Sequence, residues 1–145
     1  MTNIELFDTY TGKIFGSLYK TFPTPRDLGA SEFIDYAKIR NSQQQAAFIK
    51  RVEFILSTAQ WLADSGYIRT NGRYEDRDAL KNVVLTAQGM LALKSLPKSL
   101  RKGPSIGESL SKFSKEESKE VFRGLVTEAL GIGAKLIGPT LGVTS

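Results

Sequence analysis

The side chains that could carry out acid–base or nucleophilic chemistry in this chain form no recognisable catalytic set. The acid pairs Glu116–Glu117 and Glu75–Asp76 are adjacent in sequence. Their carboxylates therefore do not converge on one helix face, and solvated side chains are the simpler interpretation. Serines such as Ser105 have no histidine to act as their base, because the sequence contains none. We therefore expect that the protein is not an enzyme.

The absence of cysteine as well as histidine narrows the chemistry further. Disulfides, thiolate zinc sites and histidine-ligated metals are excluded, so we expect no cofactor and no metal. The glycine-containing stretch 103–107 lacks the Lys-Ser/Thr ending of a phosphate-binding loop. The first ten residues have no signal pattern, and no apolar run approaches the roughly 20 residues of a membrane span. We therefore expect a cytoplasmic protein.

Length and charge point to one domain with a mild preference for an anionic partner. The chain has 145 residues, of which 41% are hydrophobic, and its net charge is +5. This composition is sufficient for a core. The positive charge leans towards nucleic acid or another acidic surface.

Helical periodicity opens the chain. Apolar residues recur at helical spacing between Asn3 and Phe22, and the following prolines predict the end of this helix. PTPRDLGAS then reads as an extended connector. SEFIDYAKIR is predicted to form a short helix with Ser31 as its cap.

The stretch from Asn41 to Leu93 is the organising centre of the sequence. A long helix begins at Asn41 or Ser42, where a capping box is expected, and a buried face runs along it from Phe48 to Ala63. Gly66 predicts its end. YIRT and LKNVVL are candidate strands on either side of a charged loop, and TAQGMLALKSL opens the next helix.

The C-terminal third divides into a linker and a helix. Residues 98–113 are rich in Ser, Gly and Lys and are predicted to be a linker between a domain at 1–97 and a segment at 114–145. In that last segment a capping box, S-K-E-E, is expected to open an amphipathic helix. Pro139 is expected to end the helix and leave a frayed tail.

Two phrases, FILSTAQWLADSGYIR and VVLTAQGMLAL, resemble the winged helix-turn-helix proteins of bacteria. There, a helix ending in WL-x-x-x-GYI runs into the first wing strand, and the second wing strand runs into LT-x-x-G. The matching residues are Trp61, Leu62, Gly66, Tyr67, Ile68, Leu85, Thr86 and Gly89. The resemblance covers residues 3–96 in outline. It implies a mainly α fold with a small two- or three-stranded antiparallel β wing, followed by a C-terminal amphipathic helix.

The resemblance also implies a function, which is DNA binding by a transcriptional regulator. It places base contacts near the start of the long helix and phosphate contacts on the wing. Asn and Gln suit adenine, and Arg suits guanine. The implied residues are Asn41, Ser42, Gln43, Gln44, Gln45, Lys50 and Arg51, with Arg69, Arg73, Arg77 and Lys81 on the wing. Three acids in the wing loop nearly cancel its arginines, and the glutamines also fit a solvated helix start.

The final helix is a candidate dimerisation surface, since in regulators of this kind a terminal helix often pairs with its twin. Its apolar face comprises Phe122, Leu125, Val126, Ala129, Leu130, Gly133, Leu136 and Ile137. The alternative function is a winged-helix protein–protein interaction module, in which this helix docks a partner or its own twin. The segment GIGAKLIGPTLG also looks like membrane-active peptides. A single lysine attracts lipid weakly, however, so a membrane partner is not expected.

Overall fold

Five α-helices and a small antiparallel sheet make up the part of the chain that the computed structural model describes: residues 2–71, 79–97, 103–113 and 118–144, with side chains as far as Leu136. In chain order the elements are α1 (Asn3–Thr21), β1 (Arg26–Gly29), two 3-10 turns (Ala30–Phe33 and Tyr36–Lys38), α2 (Ser42–Asp64), β2 (Ile68–Arg69), β3 (Ala79–Leu85), α3 (Ala87–Lys94), α4 (Ile106–Ser111) and α5 (Lys119–Thr144). The coarse prediction of a mainly helical fold with a small antiparallel sheet is confirmed.

Helix α1 lies at the centre of the packing, because α2, α4 and α5 all contact it. Its fully buried side chains include Ile14, Phe15 and Leu18. At its start, Thr2 provides the cap, since the Glu5 N–H donates to the Thr2 hydroxyl at 3.2 Å. The apolar periodicity of this helix therefore reflects a stripe that is covered from several sides.

Helix α2 has a buried second half and an exposed first half. Val52, Ile55, Leu56, Ala59 and Leu62 are buried, whereas every residue from 41 to 47 is exposed. The helix ends, as predicted, just before Gly66, whose φ of +89° lies in the left-handed region.

The sheet joins the two predicted strands to a third one. The strand order is β1-β3-β2, and both pairs are antiparallel. Ile68 lies opposite Leu85 in the β2–β3 pair, so the predicted pairing of the two candidate strands is confirmed. In the β1–β3 pair, Gly29 lies opposite Ala79, and the register shifts between Arg26 and Leu28. The connector that was expected to be extended thus supplies a strand.

The predicted helix over SEFIDYAKIR is wrong, since two 3-10 turns stand in its place. Ile34 separates the turns with an extended backbone, at φ −129° and ψ 137°. The Asp35 carboxylate then accepts a hydrogen bond from the Ala37 N–H at 3.0 Å and starts the second turn. Side-chain bonds to nearby backbone compete with the hydrogen bonds of a continuous helix, which explains the interruption.

The linker prediction for 98–113 is wrong over residues 103–113, which contain helix α4. The Ser105 hydroxyl caps it by accepting the Glu108 N–H at 3.2 Å. Ile106 and Leu110 are buried in the main core, where α4 packs against α1. The Ser- and Gly-rich composition favoured a linker, although the four-residue spacing of Ile106 and Leu110 is typical of a helix.

Helix α5 packs back on the body of the chain. Phe122, Val126 and Ala129 belong to the same core as α1. Arg123 adds an ion pair with Asp8 of α1 at 3.2 Å. The expectation that Pro139 ends the helix is wrong, since the backbone stays helical as far as Thr144. The expected capping box at 114–117 lies outside the described residues.

Candidate nucleic-acid interface

The predicted base-contacting residues lie at the N-cap and on the exposed first half of α2. Side chains from Asn41 to Gln45 are exposed, as are Lys50 and Arg51. No carboxylate occurs between Asn41 and Val52. This end of the helix is therefore both open to a partner and free of groups that repel phosphate.

Two of these residues also close the end of the helix. The Gln44 N–H donates to Asn41 Oδ1 at 2.8 Å, and the Arg40 N–H donates to Gln44 Oε1 at 2.6 Å. The first bond is the predicted N-cap, whereas the Gln44 oxygen bonds to Arg40 and not to the Asn41 N–H that a capping box requires. Together the two bonds occupy both side-chain oxygens. Ser42, Gln43 and Gln45 are therefore the better candidates for contacts with a partner.

Apolar side chains are interspersed with these polar ones. Ala46 and Ala47 are exposed, and Ile49 is 52% exposed. Gln45 and Ile49 are four residues apart, so they share a face of the helix. Apolar contacts with thymine methyl groups accompany polar readout in the major groove, so this mixture is compatible with base recognition.

Arg51 is anchored by a residue of α1 that sequence reasoning did not single out. Its Nη1 donates to the Tyr10 hydroxyl at 3.0 Å, and its Cζ lies 5.9 Å from the Tyr10 ring centroid. The Nζ of Lys13 lies 5.6 Å from the same ring. Lys38 lines the same groove as Arg51. Tyr10 thus holds one cation of a cluster that no sequence motif indicated.

Two of the predicted wing residues lie on the sheet and not on α2, since Arg69 belongs to β2 and Lys81 to β3. Arg69 and Lys81 are both exposed. The Nζ of Lys81 lies 3.5 Å from the Asp27 carboxylate. The Asn82 N–H also donates to Asp27, and this hydrogen bond, together with Lys81, lowers the pKa of the Asp27 carboxyl. Lys81 is therefore partly neutralised by a neighbouring strand.

The pairing of β1 with β3 brings the start of β3 near the middle of α2. Ala79, the first residue of β3, lies opposite Gly29, the last residue of β1. Ala30, which follows Gly29, packs in one cluster with Val52 and Ile55 of α2. The start of β3 is therefore level with the middle of α2. Arg73 and Arg77, the two other predicted wing contacts, lie outside the described residues.

The residues predicted for dimerisation are largely used within the chain. Phe122, Val126 and Ala129 are buried, and Leu125 and Leu130 pack against the same core at half burial. An ideal Cβ on Gly133 would lie 2.2 Å from Tyr67 Cε1. Leu136 is 43% exposed, and the Ile137 side chain lies outside the described set. Dimerisation remains a prediction, but most of its proposed face already has an intramolecular partner.

Comparisons with known proteins leave the site to be judged on its own geometry. No protein-family model, curated protein or solved structure matches the chain. Among the described residues, no group of three or more acidic side chains could hold a metal ion. No described helix combines the length and the apolar character needed to cross a membrane.

Proposed function

We propose that the chain is a winged-helix protein that binds double-stranded DNA through the exposed first half of α2. The order of its elements supports this proposal. A helix, a strand, two short turns and a long helix precede two strands, of which the second lies at the centre of the sheet. The departure is local, because a helix-turn-helix has a helix before its recognition helix and this chain has two 3-10 turns there.

The observation that carries the proposal is the largely exposed, carboxylate-free surface of α2 from Asn41 to Arg51. An α-helix fits the major groove of B-DNA, which is about 12 Å wide. Gln43 and Gln45 offer amide groups suited to adenine, whereas Lys50 offers a charge suited to phosphate. Gln43 and Lys50 are seven residues apart and therefore share a face of the helix.

Cations at the margin of this surface would add affinity without sequence preference. Lys38 and Arg51 line a groove beside α2, and Arg40 immediately precedes its cap. Around the same segment the carboxylates are Asp35 and Glu53, and Asp35 Oδ1 already accepts a backbone N–H. Contacts of Lys and Arg with phosphate release counterions, which makes the binding salt-dependent.

The proposal can be tested by fluorescence polarisation with a labelled random 20-base-pair duplex at several salt concentrations. We expect binding at micromolar protein that weakens as salt increases. Lys50→Gln should lower the slope of log K against log[salt] by about one. Lys94→Gln is the matched control, because Lys94 is an exposed cation on α3. No binding, or binding that salt does not affect, would refute the proposal.

The alternative, an interaction module that docks a partner through the apolar face of α5, gains no support from the packing. Phe122, Val126 and Ala129 would have to be available to that partner, and all three are buried in the chain's own core. DNA binding is therefore the function that we retain.

A further inference from the structure

A groove lies beside the exposed half of α2, where apolar and cationic side chains meet. Its apolar lining comes from Phe33, Ile34 and Ile39, on or beside the two 3-10 turns, and from Phe48 of α2. All four of these side chains are half-buried, whereas Tyr10 at the same groove is 5% exposed. Sites for small molecules combine such an apolar lining with a few placed polar groups.

The placed polar groups in this groove are mainly cationic. Arg51 and Lys38 both line it. The bond from Arg51 Nη1 to the Tyr10 hydroxyl fixes the guanidinium in orientation and uses one of its five donors. Among the described residues that line the groove, Asp35 is the one carboxylate, and its Oδ1 accepts the Ala37 N–H. The charge of the groove therefore complements an anion, while its apolar lining complements a hydrocarbon chain or ring.

We infer that this groove binds a small amphipathic anion, namely an aliphatic or aromatic carboxylate. The carboxylate pairs with the guanidinium of Arg51, with Lys38 nearby, and the hydrocarbon part covers Ile34, Ile39 and Phe48. A planar guanidinium matches a carboxylate in two parallel hydrogen bonds, which makes Arg51 the main recognition group. An uncharged ligand of the same shape lacks this pairing and binds more weakly.

The same ligand acts as an antagonist of DNA binding, a consequence that rests on the proposed function. Gln44 and Ala47 of α2's exposed half also line the groove. A bound carboxylate neutralises Arg51 and competes with phosphate for the same cations. Because coupling between two binding events is reciprocal, DNA must weaken the carboxylate's affinity by the same factor.

Hexanoate is a suitable probe, with hexanamide as its uncharged counterpart and acetate as its truncated one. Isothermal titration calorimetry should give one hexanoate site with a Kd of about 1 mM or tighter. Hexanamide should bind at least tenfold more weakly, since it lacks the charge-assisted pair. Arg51→Gln should weaken hexanoate by about tenfold, and Lys94→Gln, which changes a cation on α3, should leave its affinity unchanged.

Two-dimensional amide NMR of the wild-type chain locates the site without any variant. Hexanoate should shift the amide signals of Ile34, Ile39 and Phe48. Shifts elsewhere, equal binding of hexanamide, or no binding would overturn the ligand site. Lys38→Gln provides a second variant if Arg51→Gln unfolds.

A competition measurement separates the site from its regulatory effect. We expect saturating hexanoate to reduce the affinity for a labelled duplex by several-fold, and acetate at the same ionic strength to have no such effect. Binding of hexanoate without this reduction would overturn the antagonism and leave the proposed DNA binding intact. Absence of duplex binding in every condition would instead refute the proposed function, while the calorimetry still decides the ligand site.

Discussion

The contact between Gly133 of α5 and the ring of Tyr67 makes a sharp prediction about stability. An ideal Cβ on Gly133 would lie 2.2 Å from Tyr67 Cε1 and 3.0 Å from Cζ. The ring has little room to move, because Tyr67 is 4% exposed and its hydroxyl donates to the Leu130 carbonyl at 2.6 Å. Its centroid also lies 6.0 Å from that of Phe15. Gly133→Ala must therefore displace the ring or α5.

The magnitude follows from two opposing effects. Overpacking a core by one methyl group costs about 1–3 kcal/mol, whereas replacing glycine by alanine within a helix contributes up to about 1 kcal/mol. We expect Gly133→Ala to lower the free energy of unfolding by about 1–2 kcal/mol. Gly131 is the matched control in the same helix, because nothing lies within 4 Å of its ideal Cβ. Gly131→Ala should raise the free energy of unfolding by up to about 1 kcal/mol.

Urea unfolding followed by circular dichroism at 222 nm measures both variants. The m-value should stay constant, so that the shift in midpoint reports stability alone. Tyr67→Leu, which removes the ring, should reduce the cost of Gly133→Ala in a double-mutant cycle. If Gly133→Ala were as stabilising as Gly131→Ala, the inferred packing of α5 on Tyr67 would be refuted.

Two further predictions concern α4 and the ionisation of Tyr67. Leu110→Ala should lower the free energy of unfolding by about 2–5 kcal/mol, because Leu110 is buried. Ser109→Ala, at a half-exposed neighbouring position, should lower it by less than about 0.5 kcal/mol. Equal urea midpoints for the two variants would restore the linker interpretation of this segment. Burial raises the pKa of the Tyr67 phenol above its ordinary value of 10.0. The contribution of the buried neutral phenol to the free energy of unfolding is therefore fully present below pH 10 and is lost as pH rises through the folded-state pKa. Wild-type stability should therefore fall more steeply above pH 10 than that of Tyr67→Phe, and parallel profiles would contradict this assignment.

The elements that could be predicted from sequence are those whose signal is local and periodic. The buried face of α2, its stop at Gly66 and the two strands that follow are encoded by apolar spacing, by one left-handed glycine and by β-branched residues. The N-cap bond from the Gln44 N–H to Asn41 was also predictable, because both partners lie within one turn. Their double role as helix cap and candidate DNA contact needed coordinates to separate.

The predictions that were wrong share a different cause, which is competition between local and tertiary interactions. Asp35 interrupts a helix by bonding to the Ala37 N–H, although the apolar spacing of Phe33 and Ala37 favoured a helix. Helix α4 has only six residues, which is too short for its apolar spacing to predict a helix, and the core contacts of Ile106 and Leu110 stabilise it.

The candidate site was predictable in position but not in detail. The sequence located the exposed half of α2 through a resemblance to winged helices. The anchoring of Arg51 by Tyr10 joins residues 41 positions apart, and no local pattern encodes such a pair. Phe122, Val126 and Ala129 of the predicted apolar face of α5 are buried, whereas Leu136 is 43% exposed. Which surface covers the buried part is decided by the tertiary fold.

The covering of α1 by α5 has a consequence for how the protein emerges from the ribosome. Gly12 of α1 lies against Phe122 and Val126, which are translated more than a hundred residues later. At elongation rates of roughly 5–20 residues per second, the nascent α1 waits on the order of 5–20 s for this cover. During that interval the part of its apolar stripe that α5 will cover is open to chaperones and to other nascent chains, so slowing translation should favour aggregation and a ribosome-associated chaperone should suppress it.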